Sequence, residues 1–294
     1  MRNKSSVAVG IALTVSFLLL IAADSFYQSD FFGGQTESSY YYAMLLELVA
    51  FLVPACVLFC LKRVGVETNA RMRSFSPRAL GFVIYTSLAV SFLSFLLNYA
   101  ATCLFDASGG GQLTGDAGAA FSLSVLAACV VPALAEEVYL RGAVFSAYEF
   151  GGTAAAIAMS ALAFSLLHAQ SGNLLGPLIA GLAYAYMTYA LDSIWPAILS
   201  HFFNNFYALL MARLMSTYSA FGLWPYFLAV NVLLFLLSAV LSLNALQHLM
   251  ERSRVKKMKK SGRSAVATIF ETIFSPGFLV FAILFLTRAL MHGQ

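Results

Sequence analysis

Long apolar runs separated by short polar breaks make up most of this 294-residue chain. Such runs predict helices at about 7–23, 40–61, 79–104, 119–149, 153–170, 174–191, 194–216, 226–250 and 265–290. Most of them approach the roughly 20 residues that an α-helix needs to cross a membrane. We therefore predict an all-α, polytopic membrane protein with about eight to nine transmembrane helices, forming one domain over 1–294. The last run contains Glu271 and Pro276, so an interfacial or broken helix is an alternative to a full span there.

The composition agrees with a membrane protein and excludes several other classes. Hydrophobic residues make up 61% of the chain, charged residues make up 10%, and the mean hydropathy is +0.82. Soluble domains average about 45–50% apolar and about 25% charged residues. A water-soluble globular enzyme, a disordered chain and a nucleic-acid-binding module are therefore excluded.

The basic residues lie in clusters beside the apolar runs, which predicts the topology. Two begin the chain, five lie within 62–78 and seven lie within 251–263. Cytoplasmic loops of membrane proteins are enriched in Lys and Arg. With a cytoplasmic N-terminus, alternation of the spans places every one of these clusters in the cytoplasm. Residues 251–263 are then a basic cytoplasmic linker that can contact anionic lipid headgroups.

Polar residues of the kind used in catalysis interrupt three of the apolar helices. A charged group near the bilayer centre costs about 2.5–3.5 kcal/mol, so its presence needs a reason. The residues are Glu136, Glu137 and Arg141 in the fourth helix, Phe164 and His168 in the fifth, and His201, Asn204 and Asn205 in the seventh. Any one of them alone is readily explained by helix packing. Their joint occurrence favours a functional site.

Helical spacing separates the two glutamates. Glu137 and Arg141 are four residues apart, so they share a face and can pair. Glu136 is turned away from that pair by about a quarter turn and stays available for chemistry. The pair can equally be a buried ion pair that fixes helix packing. Pro132 removes a backbone hydrogen bond one turn before Glu136 and is expected to bend the helix there.

These side chains suit hydrolysis in a site with little water. A Glu or His can act as a general base on water, while a second His and an Asn amide stabilise the oxyanion. Alternatively, Glu136, His168 and His201 form a three-ligand zinc set with an open fourth position. The residues alone leave the choice between metal and no metal open. The chain lacks the HExxH, serine-elbow and phosphate-loop motifs.

The three segments resemble the signature of the CPBP family, which includes the type II CAAX prenyl endopeptidase and bacterial intramembrane proteases. The family motifs are EExxxR, FxxxH and HxxxN/D, on successive helices. They occur here, in that order, as Glu136-Glu137-xxx-Arg141, Phe164-xxx-His168 and His201-xxx-Asn205. The resemblance covers about 120–210, which is the expected catalytic core.

The resemblance implies a helical membrane fold around a catalytic cavity that opens toward the cytoplasm. It also implies a glutamic endopeptidase with no metal cofactor, in which water is activated between Glu136 and His168. His201 and Asn205 would form the oxyanion hole. Zinc bound by Glu136, His168 and His201 remains the alternative.

Supporting roles are expected for Glu137, Arg141 and Phe164. Arg141 would pair with Glu137 and also bind a substrate carboxylate. The expected partners are a membrane-associated peptide or protein substrate and the lipid bilayer, with no nucleic acid. Compact size and short loops favour the inner (plasma) membrane of a bacterium. A transporter that uses these groups as a proton relay, or an inactive immunity protein, is the non-enzymatic alternative.

Overall fold

The computed structural model describes residues 2–28, 37–62, 71–105, 121–168, 174–220, 222–252, 255–256 and 264–292. Its helices are α1 (Arg2–Gln28), α2 (Glu37–Lys62), α3 (Leu80–Phe105), α4 (Phe121–Gly151), α5 (Thr153–Leu167), α6 (Leu175–Leu191), α7 (Trp195–Ala220), α8 (Trp224–Glu251), α9 (Ala265–Ile273) and α10 (Pro276–His292). No strand occurs in these ranges, so the predicted all-α class is confirmed. Most of the predicted basic linker 251–263 lies outside the described residues.

Five of the described helices, α1, α2, α3, α4 and α8, are long and apolar enough to cross a membrane. The pair α9 and α10 is a sixth span if its 67° bend is counted as a break within one crossing. α5 and α6 have 15 and 17 residues. Their lengths of about 22 and 25 Å fall short of the roughly 30 Å hydrocarbon core. The chain is an integral membrane protein with five or six spans by this measure, fewer than the eight to nine predicted.

Small residues allow two pairs of helices to approach closely. A Cβ atom built on Gly10 of α1 would lie 2.2 Å from the carbonyl carbon of Gly277 in α10. On α6, a Cβ atom at Gly181 would lie 3.0 Å from Cα of Ala161 in α5. Small side chains at membrane helix interfaces let backbones pack this way. α4 packs against α2, α5 and α7.

Ion pairs join the ends of α4 and α6 to the segments that precede α3 and follow α8. This terminal ion cluster consists of Arg71, Arg73, Glu149, Asp192 and Lys256. Arg71 Nη2 lies 2.7 Å from Glu149 Oε1, and Lys256 Nζ lies 2.7 Å from Asp192 Oδ1. Arg71 and Arg73 also approach Asp192, at 3.4 and 3.7 Å. The C-terminal ends of α4 and α6 therefore lie together with these two segments.

Candidate active site

The structure brings Glu136, His168 and His201 into one cluster, although they belong to three different segments. Glu136 lies near the middle of α4, His168 directly follows α5, and His201 lies in the second turn of α7. One ligand atom from each residue lies within 4.8 Å of the other two. Glu136 and His201 are buried, whereas the His168 side chain is 33% exposed. We call these three residues the Glu–His–His cluster.

The backbone of α4 is widened on both sides of the two glutamates. Val131–Glu137 is α-helical, but Leu126–Val130 and Val138–Val144 are π-helical. Single π-helical turns inside α-helices are frequent at functional sites. They also change the angular spacing of side chains, so the regular α-helical rule does not hold across them.

Asn205, expected in the oxyanion hole, contacts the backbone of α4. Pro132 has no N–H to donate to the Ala128 carbonyl four residues earlier. The Asn205 Nδ2 donates to that carbonyl oxygen from α7, at 3.0 Å. A side-chain amide has two hydrogens. One of the two hydrogens of the Asn205 amide therefore serves the backbone of α4.

The two ring nitrogens of His168 face different groups. Its Nδ1 lies 2.9 Å from the Phe164 carbonyl oxygen. A carbonyl oxygen only accepts hydrogen bonds, so Nδ1 carries a hydrogen. Nε2 lies 3.8 Å from Glu136 Oε2, which is too far for a direct hydrogen bond. That oxygen is buried and has no hydrogen-bond partner among the described residues.

Glu137 holds His201 and Arg141 in a fully buried network. Its Oε1 accepts hydrogen bonds from Arg141 Nη1 and His201 Nδ1, each at 2.9 Å. The predicted pairing of Glu137 with Arg141 is therefore present. Nε2 of His201 is left as a buried nitrogen without a partner in the described part of the chain. Arg141 Nη2 donates to the Gly181 carbonyl oxygen at 3.3 Å, and the Arg141 side chain is fully buried.

Two aromatic rings enclose the cluster. The Phe164 ring centroid lies 4.2 Å from that of His168 and 5.4 Å from that of His201. The guanidinium carbon of Arg141 lies 4.4 Å from the same Phe164 centroid. Tyr184 of α6 stacks on His201 at 5.5 Å with an interplanar angle of 21°. The rings restrict both imidazoles and exclude water from one side of the cluster.

The spacing of the cluster fits a small occupant. Ligands of a tetrahedral zinc ion, at about 2.0–2.1 Å from the metal, stand about 3.4 Å apart. Acceptors around one water molecule, at about 2.8 Å, stand about 4.6 Å apart. The Glu136–His168 separation of 3.8 Å lies between these values. The three residues fit one water molecule, or a zinc ion after a small contraction.

Two residues near the cluster were missed by the sequence prediction. The side chain of Glu47, on α2, lies near that of Glu136. Glu47 is an acidic residue within the apolar span Tyr40–Leu61. The cost of placing a charged group in the bilayer, which drew attention to Glu136, therefore applies to Glu47 as well. Tyr184 carried no such signal, because it is one of 14 tyrosines in an aromatic-rich chain.

Comparison with known proteins supports the family resemblance. Residues 118–207 match the sequence model of the family described as type II CAAX prenyl endopeptidase Rce1-like. This segment is about a third of the chain and contains all three motifs. No curated protein and no solved structure matches the chain significantly. Over residues 118–207, the match confirms the resemblance to CPBP-family proteases that the motifs indicated.

Proposed function

We propose that this protein is an intramembrane endopeptidase of the glutamic type, which hydrolyses peptide bonds in membrane-associated proteins or peptides. The observation that carries the proposal is the convergence of Glu136, His168 and His201 on a space that fits one water molecule. Proteolysis inside a membrane needs a site that holds water where bulk water is scarce. The match of this segment to a protease family supports the same reaction class.

In this mechanism, Glu136 and His168 bind and activate the water. The water donates one hydrogen to Glu136 Oε2 and the other to His168 Nε2. As its oxygen attacks the scissile carbonyl carbon, its proton passes to Glu136. That proton then goes to the leaving amine as the C–N bond breaks. A positioned general base contributes about 10²–10⁴-fold to such a reaction.

His201 and Asn205 stabilise the oxyanion. Nδ1–H of His201 already points at Glu137, so Nε2 donates only when the ring carries both protons. Glu137 is then the counter-ion of the imidazolium. The second amide hydrogen of Asn205 is the other donor. Loss of one oxyanion donor typically costs about 10²–10³-fold in rate.

A zinc protease that uses the same residues is the second candidate. Neutral His168 and His201 both present Nε2 lone pairs beside the Glu136 carboxylate. The carboxylate of Glu137 orients His201 through its other nitrogen, as is usual for histidines that bind zinc. Zinc would supply a Lewis acid that activates water. Stoichiometric zinc in active protein, with activity lost to a chelator and restored by zinc, would establish this candidate. Full activity without zinc would exclude it.

The proposal includes a topology and a location. Counting α5, α6 and α7 as further crossings gives about eight to nine spans, with the N-terminus and the catalytic cavity facing the cytoplasm. The terminal ion cluster supports this orientation, because Arg71, Arg73 and Lys256 add positive charge at the C-terminal ends of α4 and α6. The bacterial inner membrane is the proposed location.

The proposal is tested by comparing protein termini in membranes. Host membranes with wild type, Glu136→Gln or Glu149→Gln, at matched abundance, are surveyed for new N- and C-terminal peptides. Glu149 is the matched control, because it is on the same helix but in the terminal ion cluster. We expect new termini with wild type and Glu149→Gln only. Identical profiles for all three would favour a transporter or an immunity protein.

A further inference from the structure

A cavity of about 360 Å³ lies at the bend between α9 and α10. Its volume is within the roughly 300–1,000 Å³ that is typical of ligand sites. One wall residue, Phe150, directly follows Glu149, so the cavity lies at the same end of the bundle as the terminal ion cluster. It shares no residue with the Glu–His–His cluster. The residues that line it include Ser6, Phe150, Glu271, Thr272, Phe274 and Ser275.

The cavity lies where two apolar helices begin. Ser6 is the first residue of the apolar span Ser6–Ala23 of α1, and Ser275 directly precedes α10. Both residues line the cavity. The start of an apolar span marks the boundary between the hydrocarbon core and the headgroups of a bilayer. The cavity is therefore at the level of the lipid headgroups, on the cytoplasmic side in the proposed topology.

The helix α9 lies across this end of the bundle with an apolar face directed outward, since it is bent by 67° from α10. Thr268 and Thr272 are buried, and α9 packs on α5. Val266 and Phe270 of α9 and Phe274 directly after it are exposed at intervals of four residues, which share one helix face. A helix with one exposed apolar face fits the interface between headgroups and acyl chains.

The start of α10 provides groups that bind an anion. The first N–H groups of a helix have no helical acceptor, and the N-terminus of a helix favours phosphate and similar anions. Ser275 stands directly before this N-terminus and is 5% exposed. Its Oγ is buried and has no hydrogen-bond partner in the described part of the chain. Because a buried hydroxyl without a partner is costly, this group points to a ligand as its partner.

The carboxyl group of Glu271 determines which ligand fits. Glu271 lines the same cavity as Ser275, and a carboxylate repels a simple anion and attracts a cation. A headgroup that carries both a phosphate and an ammonium group meets both requirements. A primary ammonium also donates hydrogen bonds to the carboxylate, which a trimethylammonium group cannot do.

We propose that this cavity binds the headgroup of a phosphatidylethanolamine-type lipid. The phosphate lies at Ser275 and the start of α10, and the ammonium lies at Glu271. Phe150 and Phe274, which are 38% and 65% exposed, contact the acyl chains beside the cavity. The site is separate from the proposed peptide hydrolysis and gives the elbow between α9 and α10 a lipid partner.

Lipid retention by the purified protein in detergent tests the assignment. Phosphatidylethanolamine, phosphatidylcholine and phosphatidylglycerol with the same acyl chains are titrated, and retained lipid is counted by native mass spectrometry. We expect phosphatidylethanolamine to be retained at concentrations at which the other two lipids are not. Equal retention of all three would overturn the headgroup assignment. Retention of soluble phosphoethanolamine at the same concentration would overturn the lipid as its source.

Substitutions locate the binding at the cavity. Glu271→Gln and Ser275→Ala each remove one hydrogen bond to a charged group and should weaken retention of phosphatidylethanolamine about 10- to 100-fold. Thr287→Ala is the matched control, because it removes a hydroxyl from the same helix that donates to the Ile283 carbonyl oxygen. It should retain the lipid as wild type does.

The Tm without lipid separates binding from folding. Ser275→Ala should keep the wild-type Tm, because its Oγ has no partner among the described residues. Equal retention by wild type, Glu271→Gln and Ser275→Ala would overturn the site. Since the measured quantity is lipid retention rather than peptide cleavage, the result does not depend on the proposed endopeptidase function.

Discussion

The side-chain amide of Asn205 donates to the Ala128 carbonyl oxygen, 3.0 Å away on a different helix. That carbonyl lacks the usual helical partner, because Pro132 follows four residues later and has no N–H. In a membrane no water is present to satisfy it, so α7 supplies the donor. A motif residue expected in catalysis thus also stabilises a proline break in α4.

Substituting both ends of this contact separates its structural and catalytic roles. Asn205→Ala leaves the Ala128 carbonyl unsatisfied and should lower the free energy of unfolding by about 1–3 kcal/mol. Adding Pro132→Ala restores a backbone donor and should recover part of that loss. The proposed oxyanion role predicts that kcat stays low in the double variant.

Stability is measured by unfolding in detergent and kcat by peptide cleavage. Asn204→Ala, at the adjacent position, is the matched control and should retain both. A double variant with wild-type kcat would restrict Asn205 to its backbone contact.

Removing one member of the Glu137–Arg141 pair should be costly. Glu137→Leu leaves a buried guanidinium without its counter-ion, and it should lower the free energy of unfolding by about 3–5 kcal/mol. Glu137→Leu combined with Arg141→Met removes both charges and should recover most of that stability. Activity should stay lost in both variants, because His201 no longer has a partner at Nδ1. Recovery of activity with stability would contradict the role of Glu137 in orienting His201.

The terminal ion cluster should make the protein less stable at acidic pH. Burial alone raises the pKa of Asp192, but the hydrogen bond to Lys256 and the charges of Lys256, Arg71 and Arg73 lower it below 3.8 overall. A carboxyl group with a lowered pKa stabilises the fold above its unfolded pKa, and this contribution is lost as the pH falls through the folded value. Asp192→Asn should therefore lower the Tm at pH 7, with a smaller difference below about pH 4.

Thermal unfolding of both proteins across this pH range is the measurement. Asn tolerates the left-handed conformation that Asp192 adopts, with φ of 50°, so the substitution changes charge rather than backbone. An equal Tm difference at pH 7 and pH 3 would show that the ion pairs are not its cause.

Two glycine substitutions should act in opposite directions. Gly10→Ala places a Cβ atom 2.2 Å from backbone carbon of Gly277 and forces α1 and α10 apart, at a cost of about 1–3 kcal/mol. Gly81→Ala is the matched control, because its Cβ atom would meet only the Tyr85 ring at 3.7 Å. It should raise stability by about 0.5–1 kcal/mol through helix propensity. Equal Tm changes for both would contradict the close approach of α1 and α10.

The helices and the meeting of three motifs could be predicted because both depend on local signals. Apolar runs mark helices directly, and polar groups inside them need partners. The structure ends α5 at Leu167, so His168 lies directly after the helix and near Glu136. The apolar pattern predicts this helix to about 170, but residues 169–173 lie outside the described part of the chain.

Contacts that depend on the register between helices could not be predicted. Glu47 lies near Glu136 because α2 packs on α4, where Phe51 contacts Tyr139, and sequence spacing does not encode that pairing. The contact of Asn205 with Ala128 likewise depends on how α7 lies against a π-helical part of α4. Local patterns indicated the chemical groups, whereas tertiary packing decides their partners.

Glu136, as the proposed general base, should be needed for peptide cleavage. The initial rate of cleavage is compared for purified wild type, Glu136→Gln and Glu149→Gln in nanodiscs, at equal folded concentration. We expect Glu136→Gln to lose about 10²–10⁴-fold in kcat, while Glu149→Gln stays near wild type. Cleavage by Glu136→Gln at the wild-type rate would show that Glu136 is not the base.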